Sequence, residues 1–239
     1  MIEKHLLKLR ARDTVSAEEE DFLRGLISET RDVAAKATII RAEQVLGHST
    51  MLLEGWMCRY KDLPNGQRQI TALHVAGDFV DLHSFTLKRL DHSIMALTPC
   101  RIGMVPHRRL VEMSESHPHL TRLCWMTTNI DAAAHREWEL SLGRRPAIGR
   151  IAHILCELRI RLALVGLTDG DGYPFPLTQL ELSECTGLTP VHVNRTLRDL
   201  REREFVEIRH GRVRIRNLPA LEAIADFNPT YLYLNKEPR

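Results

Sequence analysis

The polar side chains best suited to chemistry in this sequence share one face of a single predicted helix. That helix is predicted to begin at Pro190, because Thr189 can accept a backbone N–H as N-cap and proline costs no hydrogen bond at the first helical position. Its apolar residues recur at positions i, i+4 and i+7, which predicts a buried stripe of Val193, Leu197 and Leu200. The opposite face carries His192, Asn194, Arg195 and Arg198. Since arginine and asparagine can each form paired hydrogen bonds with base edges, this face offers readout of double-stranded DNA.

A helix-turn-helix motif is predicted to position this face. A shorter amphipathic helix after Leu177 leads through a turn at Gly187 into the helix that begins at Pro190. In such motifs the second helix enters the major groove while the first crosses the DNA backbone. The predicted DNA contacts are Thr178, Thr189, Val191, His192, Asn194, Arg195, Arg198 and Arg212.

A basic hairpin is predicted directly after the motif, over residues 205–216. Apolar and charged residues alternate on both sides of Gly211, which supplies the positive φ of a tight turn. The outward residues are Glu207, Arg209, Arg212, Arg214 and Arg216. A cationic two-stranded wing beside a recognition helix can hold DNA phosphates. The alternative, a helical hairpin and a solvated ribbon without a ligand, requires the cap, the turn, the polar face and the wing to coincide by chance.

The basic residues concentrate in this same part of the chain. The 239 residues carry a net charge of only +2, yet residues 144–216 hold 13 Lys and Arg against 9 Asp and Glu. Residues 1–143 hold 18 against 19. A local basic excess beside a helix-turn-helix is the electrostatic signature of a nucleic-acid-binding segment.

The composition predicts a cytoplasmic globular protein without a membrane partner. Hydrophobic residues make up 44% of the chain and charged residues 27%. No apolar run approaches the ~20 residues that span a bilayer, and the first ten residues lack the apolar core of a secretory signal. The five cysteines are scattered and form no CxxC pair, which favours reduced thiols over a disulfide framework or a zinc site.

A helical start, a β-rich segment and a long helix are predicted before the motif. Residues 1–30 have a charged helical pattern, and residues 37–110 alternate like short strands separated by turns, most clearly at Asn65-Gly66. A long helix over residues 119–142 has the 3-4-3-4-3 spacing of a two-stranded coiled coil. The predicted dimer interface consists of Leu123, Met126, Ile130, Ala133 and Leu140. The alternative is a single amphipathic helix that packs on its own domain.

Shorter features connect and follow these elements. Residues 143–146 form a predicted hinge, and residues 147–167 a further helix. Residues 169–174 are predicted to be a loop, residues 219–226 a short helix, and residues 231–234 an apolar tail that packs back on the protein.

This order of elements resembles the Crp/Fnr family of bacterial transcription regulators over nearly the whole chain. Residues 77–80, Gly-Asp-Phe-Val, are similar to the glycine-acid-phenylalanine turn of the cyclic-nucleotide-type β-roll. Residues 147–152 resemble the first helix of the family's DNA-binding domain, and residues 187–197 its recognition segment. Many members have glutamate at the place of Val191 and arginine at the place of Arg195. The resemblance therefore implies that Arg195 reads a guanine and that the half-site differs from the family's commonest one.

The resemblance implies an α+β fold in three parts. These are an N-terminal antiparallel β-roll with N-terminal helices over residues 1–117, a long dimerisation helix over 118–143, and a C-terminal winged helix-turn-helix domain with an extension over 144–239. It also implies a homodimeric, sequence-specific DNA-binding regulator of transcription on a palindromic operator, with RNA polymerase as a further partner. The sequence shows no nucleophile–base constellation, phosphate loop or paired-carboxylate motif, so we expect no enzymatic activity.

An effector site is expected in the β-roll, but not one for cyclic AMP. Members that bind cyclic AMP clamp its phosphate with an Arg-Ser or Arg-Thr pair, where this sequence has Leu90-Asp91. A carboxylate facing a phosphodiester in a poorly solvated pocket is repulsive. A slip of one or two residues would instead bring Arg89 into the clamp. The candidate effector residues are Gly77, Asp78, Asp81, Arg89, Asp91 and His92.

No resident metal or iron–sulfur cluster is predicted. The oxygen-sensing branch of the family uses an N-terminal cysteine cluster, and residues 1–57 contain no cysteine. His117 and His119 form the closest histidine pair but have no third ligand nearby in sequence. A haem ligand role for His74 or His83 stays open beside a hydrogen-bonded or surface role. The alternative function is accordingly a module that senses a cyclic nucleotide, another small ligand or haem and binds DNA in response.

One cysteine lies inside the predicted motif. Cys185 precedes Thr189 by four residues, in the first helix. It is predicted to be a small packing residue. The alternative is a redox switch, because an oxidised sulfur at this place would obstruct the approach of DNA.

Overall fold

The computed structural model describes residues 1–238, and their packing divides the chain into two compact units. The first unit comprises Met1–Lys61, Ala72–Ala132 and the residues from Tyr233 onward. The second comprises Asp62–Thr71 and Ala133–Leu232. The division therefore falls inside the long helix, whereas the sequence-based proposal places a boundary at residues 143–144. The two units are described in turn.

Seven short strands, most of whose residues lie in the first unit, form two antiparallel sheets. The strands are β1 (Glu29–Val33), β2 (Thr38–Ile40), β3 (His48–Glu54), β4 (Trp56–Asp62), β5 (Arg68–Val75), β6 (Ser93–Ala96) and β7 (Cys100–Pro106). One sheet has the order β1-β7-β3 and the other β2-β6-β4-β5. Apolar residues of both sheets, including Leu52, Met57, Ile94 and Ile102, share one core. The structure thus confirms the predicted antiparallel β-sheet domain and the Asn65-Gly66 hairpin between β4 and β5.

Five helices belong wholly or partly to this unit, namely α1 (Glu3–Arg10), α2 (Ala17–Arg24), α3 (Ser84–Leu87), α4 (His107–Ser116) and α5 (Pro118–Arg144). The prediction of helix over residues 1–30 is right as far as Arg24, and β1 begins at Glu29. Ser16 starts α2 through a capping box, because its hydroxyl accepts from Glu19 N while the Glu19 carboxylate accepts from Ser16 N. A second apolar core lies under these helices and includes Leu6, Leu23, Leu110, Leu123 and Met126.

The turn after β5 is built around Gly77 and the N-terminal helix. Gly77 has φ +92°, and an added Cβ would lie 2.7 Å from the carbonyl carbon of Lys4 and 3.0 Å from the nitrogen of His5. The His5 ring nitrogen Nδ1 lies 3.0 Å from the Gly77 carbonyl oxygen. A residue without a side chain is required here both by the backbone conformation and by the close approach of α1.

The second unit is a small helical domain with a three-stranded sheet. Its elements are α6 (Ala147–Ala163), β8 (Gly172–Pro174), α7 (Gln179–Thr186), α8 (Pro190–Glu202), β9 (Val206–Arg209), β10 (Arg212–Ile215), α9 (Leu218–Ala225) and a 3-10 helix (Pro229–Leu232). The sheet order is β8-β10-β9. The second half of α5 belongs to this unit. The end of the β4–β5 hairpin also belongs to this unit, and there Gln69 Nε2 donates to the Glu184 carbonyl over 2.7 Å.

Two sequence-based expectations for this unit need correction. Residues 172–174 are a strand and not part of a loop, because they pair with β10 and bury Tyr173, whose hydroxyl donates to the Leu155 carbonyl. Helix α6 ends at Ala163 instead of continuing to 167, and Gly166 takes up a left-handed conformation beyond it. The expected C-terminal helix is present as α9. Of the apolar tail predicted at residues 231–234, Tyr231 and Leu232 are buried, whereas Tyr233 is 49% exposed. Of the helices within residues 1–238, none combines the length and apolar character needed to span a bilayer.

Candidate DNA-binding surface and sensor site

The first helix of the motif is fixed at both ends by its own sequence. The Thr178 hydroxyl accepts from Glu181 N over 3.2 Å, and the Glu181 carboxylate accepts from Thr178 N over 2.8 Å. This capping box starts α7. Gly187 ends it with φ +64°, the left-handed conformation that glycine adopts without steric cost. The hydroxyl of Thr178, a predicted DNA contact, is therefore engaged in the cap.

The second helix begins as the sequence predicts. The Thr189 side chain accepts from His192 N over 3.2 Å, and Pro190 is the first helical residue. Val193 and Leu200 are fully buried and Leu197 half-buried. The buried row also includes Thr196, whose hydroxyl donates to the carbonyl of residue 192. The inner face is thus occupied by packing, which leaves the polar face turned outward.

The outer face of α8 presents two exposed arginines and an exposed valine. Arg195, Arg198 and Val191 are exposed, Val191 to 81%. His192 and Asn194 are half-buried, and Asn194 Nδ2 donates to Gln179 Oε1 over 3.3 Å. Gln179 joins the surface as a residue that the sequence reasoning missed. Its signal in the sequence was its position directly after the Thr178 cap, as the first residue of α7.

A basic wing stands beside this helix in the same unit. In the β9–β10 hairpin Arg209 lies opposite Arg212, and residues 210 and 211 both have positive φ, which is the backbone of a tight type I′ turn. Only Gly211 was assigned to this turn from the sequence. Val206, Val213 and Ile215 face inward and are buried.

Part of the positive charge of the wing is balanced by carboxylates. Glu207 pairs with Arg216, and Arg209 Nε lies 3.4 Å from the Glu207 carboxylate. The hydrogen bond from Arg216 is the main cause that holds the pKa of Glu207 below its usual range. Arg212 lies 3.7 Å from Asp169. Arg209 keeps 75% of its side chain exposed and is the most accessible cation of these three.

The predicted effector residues do not form one cluster. The Gly77 carbonyl and the Asp78 carboxylate face α1, where Asp78 pairs with Lys8. Asp81 is fully buried and accepts hydrogen bonds from Thr50 of β3. Burial raises the pKa of Asp81 to about 7, against the opposing effects of the Thr50 amide and the nearby Arg59 guanidinium.

The other three predicted effector residues lie in the segment that leads into β6. The Arg89 guanidinium donates to the Glu43 carbonyl over 2.8 Å and is exposed. Asp91 accepts from Lys61 over 2.7 Å and lies 2.9 Å from His92 Nδ1. The hydrogen bond from Lys61, followed by that from His92, holds the pKa of Asp91 well below its usual range.

A buried arginine that the sequence reasoning missed lies close to these residues. Arg59 of β4 is 3% exposed, and its Nε donates to the Val80 carbonyl over 2.8 Å. A second guanidinium nitrogen pairs with the Asp131 carboxylate on α5. The signal was weak, because a single arginine inside an apolar strand pattern is compatible with an edge position. The pairing partner, moreover, is 72 residues further along the chain.

Part of the dimer interface predicted on α5 is buried within the same chain. Leu123 and Met126 belong to the helical core of the first unit, and Ile130 packs against that core. Ala133 is buried and Leu140 is 46% exposed. Trp125, one position away from Met126, is 69% exposed.

The histidines considered as metal or haem ligands, and Cys185, lie among other side chains of the protein. His119 lies 2.6 Å from Glu19 and 3.3 Å from Asp13, and His117 packs on the Phe22 ring. His74 is buried, and the His83 ring lies 5.4 Å from that of His92. Within residues 1–238 no three His, Cys, Asp or Glu side chains are arranged to hold a metal ion. Cys185 is 2% exposed, as expected of a packing residue.

Two family models match separate stretches of this chain. A Crp-like helix-turn-helix domain matches residues 149–224, and a cyclic nucleotide-binding domain matches residues 30–117. The nitrogen fixation regulation protein FixK of Bradyrhizobium diazoefficiens is 30% identical over 194 residues, which cover 79% of this chain and 78% of that protein. The transcriptional activatory protein AadR of Rhodopseudomonas palustris is 28% identical over 87% of this chain and 85% of its own.

The fold has a close solved counterpart. The structure of FixK2 from Bradyrhizobium japonicum superimposes with a TM-score of 0.76 at 22% identity, and the match covers 83% of this chain and 98% of that one. At this identity the FixK2 structure shows the fold alone, whereas the 30% identity to FixK over most of both chains shows the family. With its antiparallel β-sheet domain, long helix and winged helix-turn-helix, the chain belongs to the Crp/Fnr family of DNA-binding transcription regulators.

Proposed function

We propose that this regulator binds a palindromic operator as a homodimer and does so without cyclic AMP. The observation that carries its DNA recognition is the outer face of α8, where Arg195 and Arg198 are exposed beside the basic wing. Each recognition helix would read one half-site, and the two-fold symmetry of the dimer would be matched by the symmetry of the operator.

The dimer is supported by an exposed stripe on α5. Arg122, Trp125, Asn129 and Ala132 are all exposed and follow the spacing 3-4-3 of a helix seam. A tryptophan that is 69% exposed in the middle of a long helix is the type of residue that a protein partner buries. Ala132 would let two backbones approach closely. The seam proposed here is shifted by one residue from Leu123, Met126, Ile130 and Ala133, because Leu123 and Met126 are used in the protomer's own core.

Independence of cyclic AMP is supported by the pairing of Arg59. Its guanidinium pairs with Asp131 and donates to the Val80 carbonyl, so a phosphate would have to displace an ion pair whose arginine is buried. Displacing Asp131 would leave its half-buried carboxylate without this partner, which is unfavourable. Asp91, which is paired with Lys61, places a carboxylate instead of a phosphate-binding side chain in the segment before β6. Calorimetric titration of the full chain with cyclic AMP is expected to show no saturable heat, and micromolar binding would contradict this part of the proposal.

The experiment that tests DNA recognition is selection of binding sites from random duplexes by the full-length protein. We expect a two-fold symmetric consensus, bound about 10³-fold or more tightly than unrelated duplex DNA at physiological salt. Sedimentation of the complex should give two protomers per operator. Equal affinity for selected and unrelated duplexes would contradict sequence-specific recognition.

The family membership supports three further expectations. Like other transcription regulators, the protein would work in the cytoplasm, contact RNA polymerase at the promoter and lack enzymatic activity. A ternary complex of operator, protein and RNA polymerase holoenzyme in a mobility-shift assay would support the polymerase contact. Independent binding of the two proteins to the same promoter would contradict it.

A further inference from the structure

A buried carboxylate joins three elements of the second unit. Glu157 of α6 is 1% exposed, and one of its oxygens accepts from both Trp138 Nε1 of α5 over 3.1 Å and the Tyr231 hydroxyl of the 3-10 helix over 2.8 Å. Arg161, one turn further along α6, donates to the other oxygen over 2.9 Å. Removing a carboxylate from water is costly unless it is paired and hydrogen-bonded. The three donors therefore have to be present together for the arrangement to be stable.

A second set of contacts lies next to this carboxylate and ties the same elements. Arg145, directly after α5, donates to the Glu137 carboxylate and to the Asp226 carbonyl at the end of α9, each over 3.2 Å. His153 is 1% exposed and is stacked on Tyr231, with its Nε2 3.7 Å from Glu137. The segment that follows α9 is thus fastened to the end of α5 as well as to α6.

These contacts restrict the hinge predicted at residues 143–146. Apolar surfaces can slide and rotate against one another, whereas hydrogen bonds of fixed direction hold the rotation of α5 about its axis relative to α6. Helix α6 in turn packs on α8, and Arg150 of α6 donates to the last carbonyl of α7 over 3.0 Å. The orientation of the recognition helix relative to the end of α5 is therefore set through Glu157.

We infer that Trp138, Glu157 and Tyr231 act as a clasp that sets the distance between the two recognition helices, and hence the half-site spacing that the operator must have. The inference rests on the proposed dimer, in which α5 holds the two protomers together. Tyr231, Trp138 and Glu157 are positioning residues, because none of them is on the outer face of α8 or in the wing. The C-terminal segment, which carries Tyr231, accordingly takes part in operator selection without touching DNA.

The test compares operators that differ only in spacing. The palindrome selected by the wild-type protein is used with its natural centre, with one base pair inserted and with one base pair removed, together with a duplex that holds a single half-site. An inserted pair moves the half-sites apart by ~3.4 Å and rotates one relative to the other. The variant is Tyr231→Phe, which keeps the ring but removes the hydroxyl donor. The matched control is Tyr233→Phe, at an exposed tyrosine two residues away.

We expect wild type and Tyr233→Phe to prefer the natural spacing by about tenfold or more, since the second half-site contributes only when the geometry fits. Tyr231→Phe is expected to lose most of that preference while its affinity for the single half-site is unchanged. If Tyr231→Phe kept the full wild-type preference for the natural spacing, the inference would be overturned. An equal loss of affinity for all four duplexes would also overturn it, because that is the result expected from simple destabilisation. If Tyr231→Phe does not fold, Trp138→Phe removes the indole donor and is read in the same way. A wild type indifferent to spacing would contradict the proposed dimer itself, which separates the failure of that proposal from the failure of the clasp.

Discussion

Arg195 is the side chain on which base preference is expected to depend most. It is exposed on the outer face of α8, and a guanidinium can donate twice to the O6 and N7 atoms of guanine. We predict that Arg195→Ala weakens specific binding by about 1–3 kcal/mol and relaxes the preference at one base pair in each half-site. The measurement is competition among operators that carry each of the four bases at every position.

The matched comparison is Arg209→Ala in the wing. Its side chain is exposed and is expected to contact phosphate, which carries no sequence information. This variant should weaken all duplexes alike and lower the slope of affinity against salt by about one. If Arg195→Ala behaved in the same uniform way, Arg195 would be a phosphate contact and not a base reader.

His5 makes the stability of the first unit dependent on pH. Burial removes the imidazole from water and lowers its pKa to about 4, against the opposing effect of the hydrogen bond with the Gly77 carbonyl. In the unfolded chain this imidazole takes up its proton at about pH 6.5. The contribution of the neutral His5 to the free energy of unfolding is therefore complete above pH 6.5 and is lost as the pH falls toward 4. At full effect this amounts to about 3 kcal/mol.

We therefore predict that His5→Asn flattens the fall of the free energy of unfolding between pH 7 and pH 5. Denaturant unfolding at several pH values in this window measures the slope for both proteins. The variant is compared by its slope, because the absolute stability also changes with side-chain volume. Equal slopes in the two proteins would show that His5 is not held neutral by its surroundings.

At the scale of secondary structure, α5 is the element that, in the proposed dimer, would contact its own unit with one face and a second protomer with the other. We predict that Trp125→Glu gives a folded monomer that binds the palindrome poorly, because each protomer then loses the contribution of the second half-site. Sedimentation gives the mass, and the melting temperature should stay near that of wild type. Val111→Glu, at an exposed apolar position of α4, is the matched control and should remain dimeric.

The alternative seam gives a different result for the core positions. Leu123→Lys places a charge in the helical core of the first unit and is expected to unfold that unit rather than to separate two folded protomers. A stable monomer from Leu123→Lys, together with a dimer from Trp125→Glu, would restore the seam expected from the sequence.

The turn between β5 and the following segment depends on its glycine. We predict that Gly77→Ala is more destabilising than Gly66→Ala, although both residues have φ near +90°. The added Cβ at Gly77 meets the backbone of Lys4 and His5, while the one at Gly66 has nothing within 4 Å. Both variants carry the left-handed backbone penalty of about 1 kcal/mol. The loss of free energy of unfolding is measured with urea for both variants, and the extra loss in Gly77→Ala measures the close approach of α1. Equal losses in the two variants would contradict that contact.

Local sequence signals were sufficient for the elements of the DNA-binding surface. Thr189, Pro190 and Gly187 each act on the backbone within a few residues, so the start of α8 and the turn before it could be predicted. The strand β8 could not, because only its pairing with β10, about 40 residues later along the chain, makes it a strand. The faces of α5 were equally hidden, since apolar spacing does not distinguish a residue buried in its own unit from one that a second chain covers.

Contacts between distant residues explain the rest of what was missed. The ion pair of Arg59 with Asp131 and the clasp around Glu157 both join side chains on elements far apart in sequence. Neither the ion pair nor the clasp leaves a recognisable pattern in the sequence, because its residues are of common types and are not close together along the chain. Such buried polar groups are recognised only once the fold brings them together and shows that each has its partner.

For the whole molecule, one helix belongs to both units. Helix α5 contributes Asp131 to the ion pair with Arg59 in the first unit and Trp138 to the clasp in the second. A ligand can shift DNA binding only as far as it binds one conformation better than another. In this protein the buried Arg59 is already paired with Asp131, and the exposed Arg89 donates to the Glu43 carbonyl. We therefore expect the DNA-binding form to be populated without an effector of the cyclic nucleotide type.

Titration of the selected palindrome with the full-length protein, in the absence and presence of millimolar cyclic AMP, tests this account most directly. The two binding curves are predicted to superimpose, with a saturation point of two protomers per operator. A tenfold or greater tightening by cyclic AMP, a coupling of about 1.4 kcal/mol, would contradict it and would mean that Arg59 or Arg89 can be released to hold the phosphate.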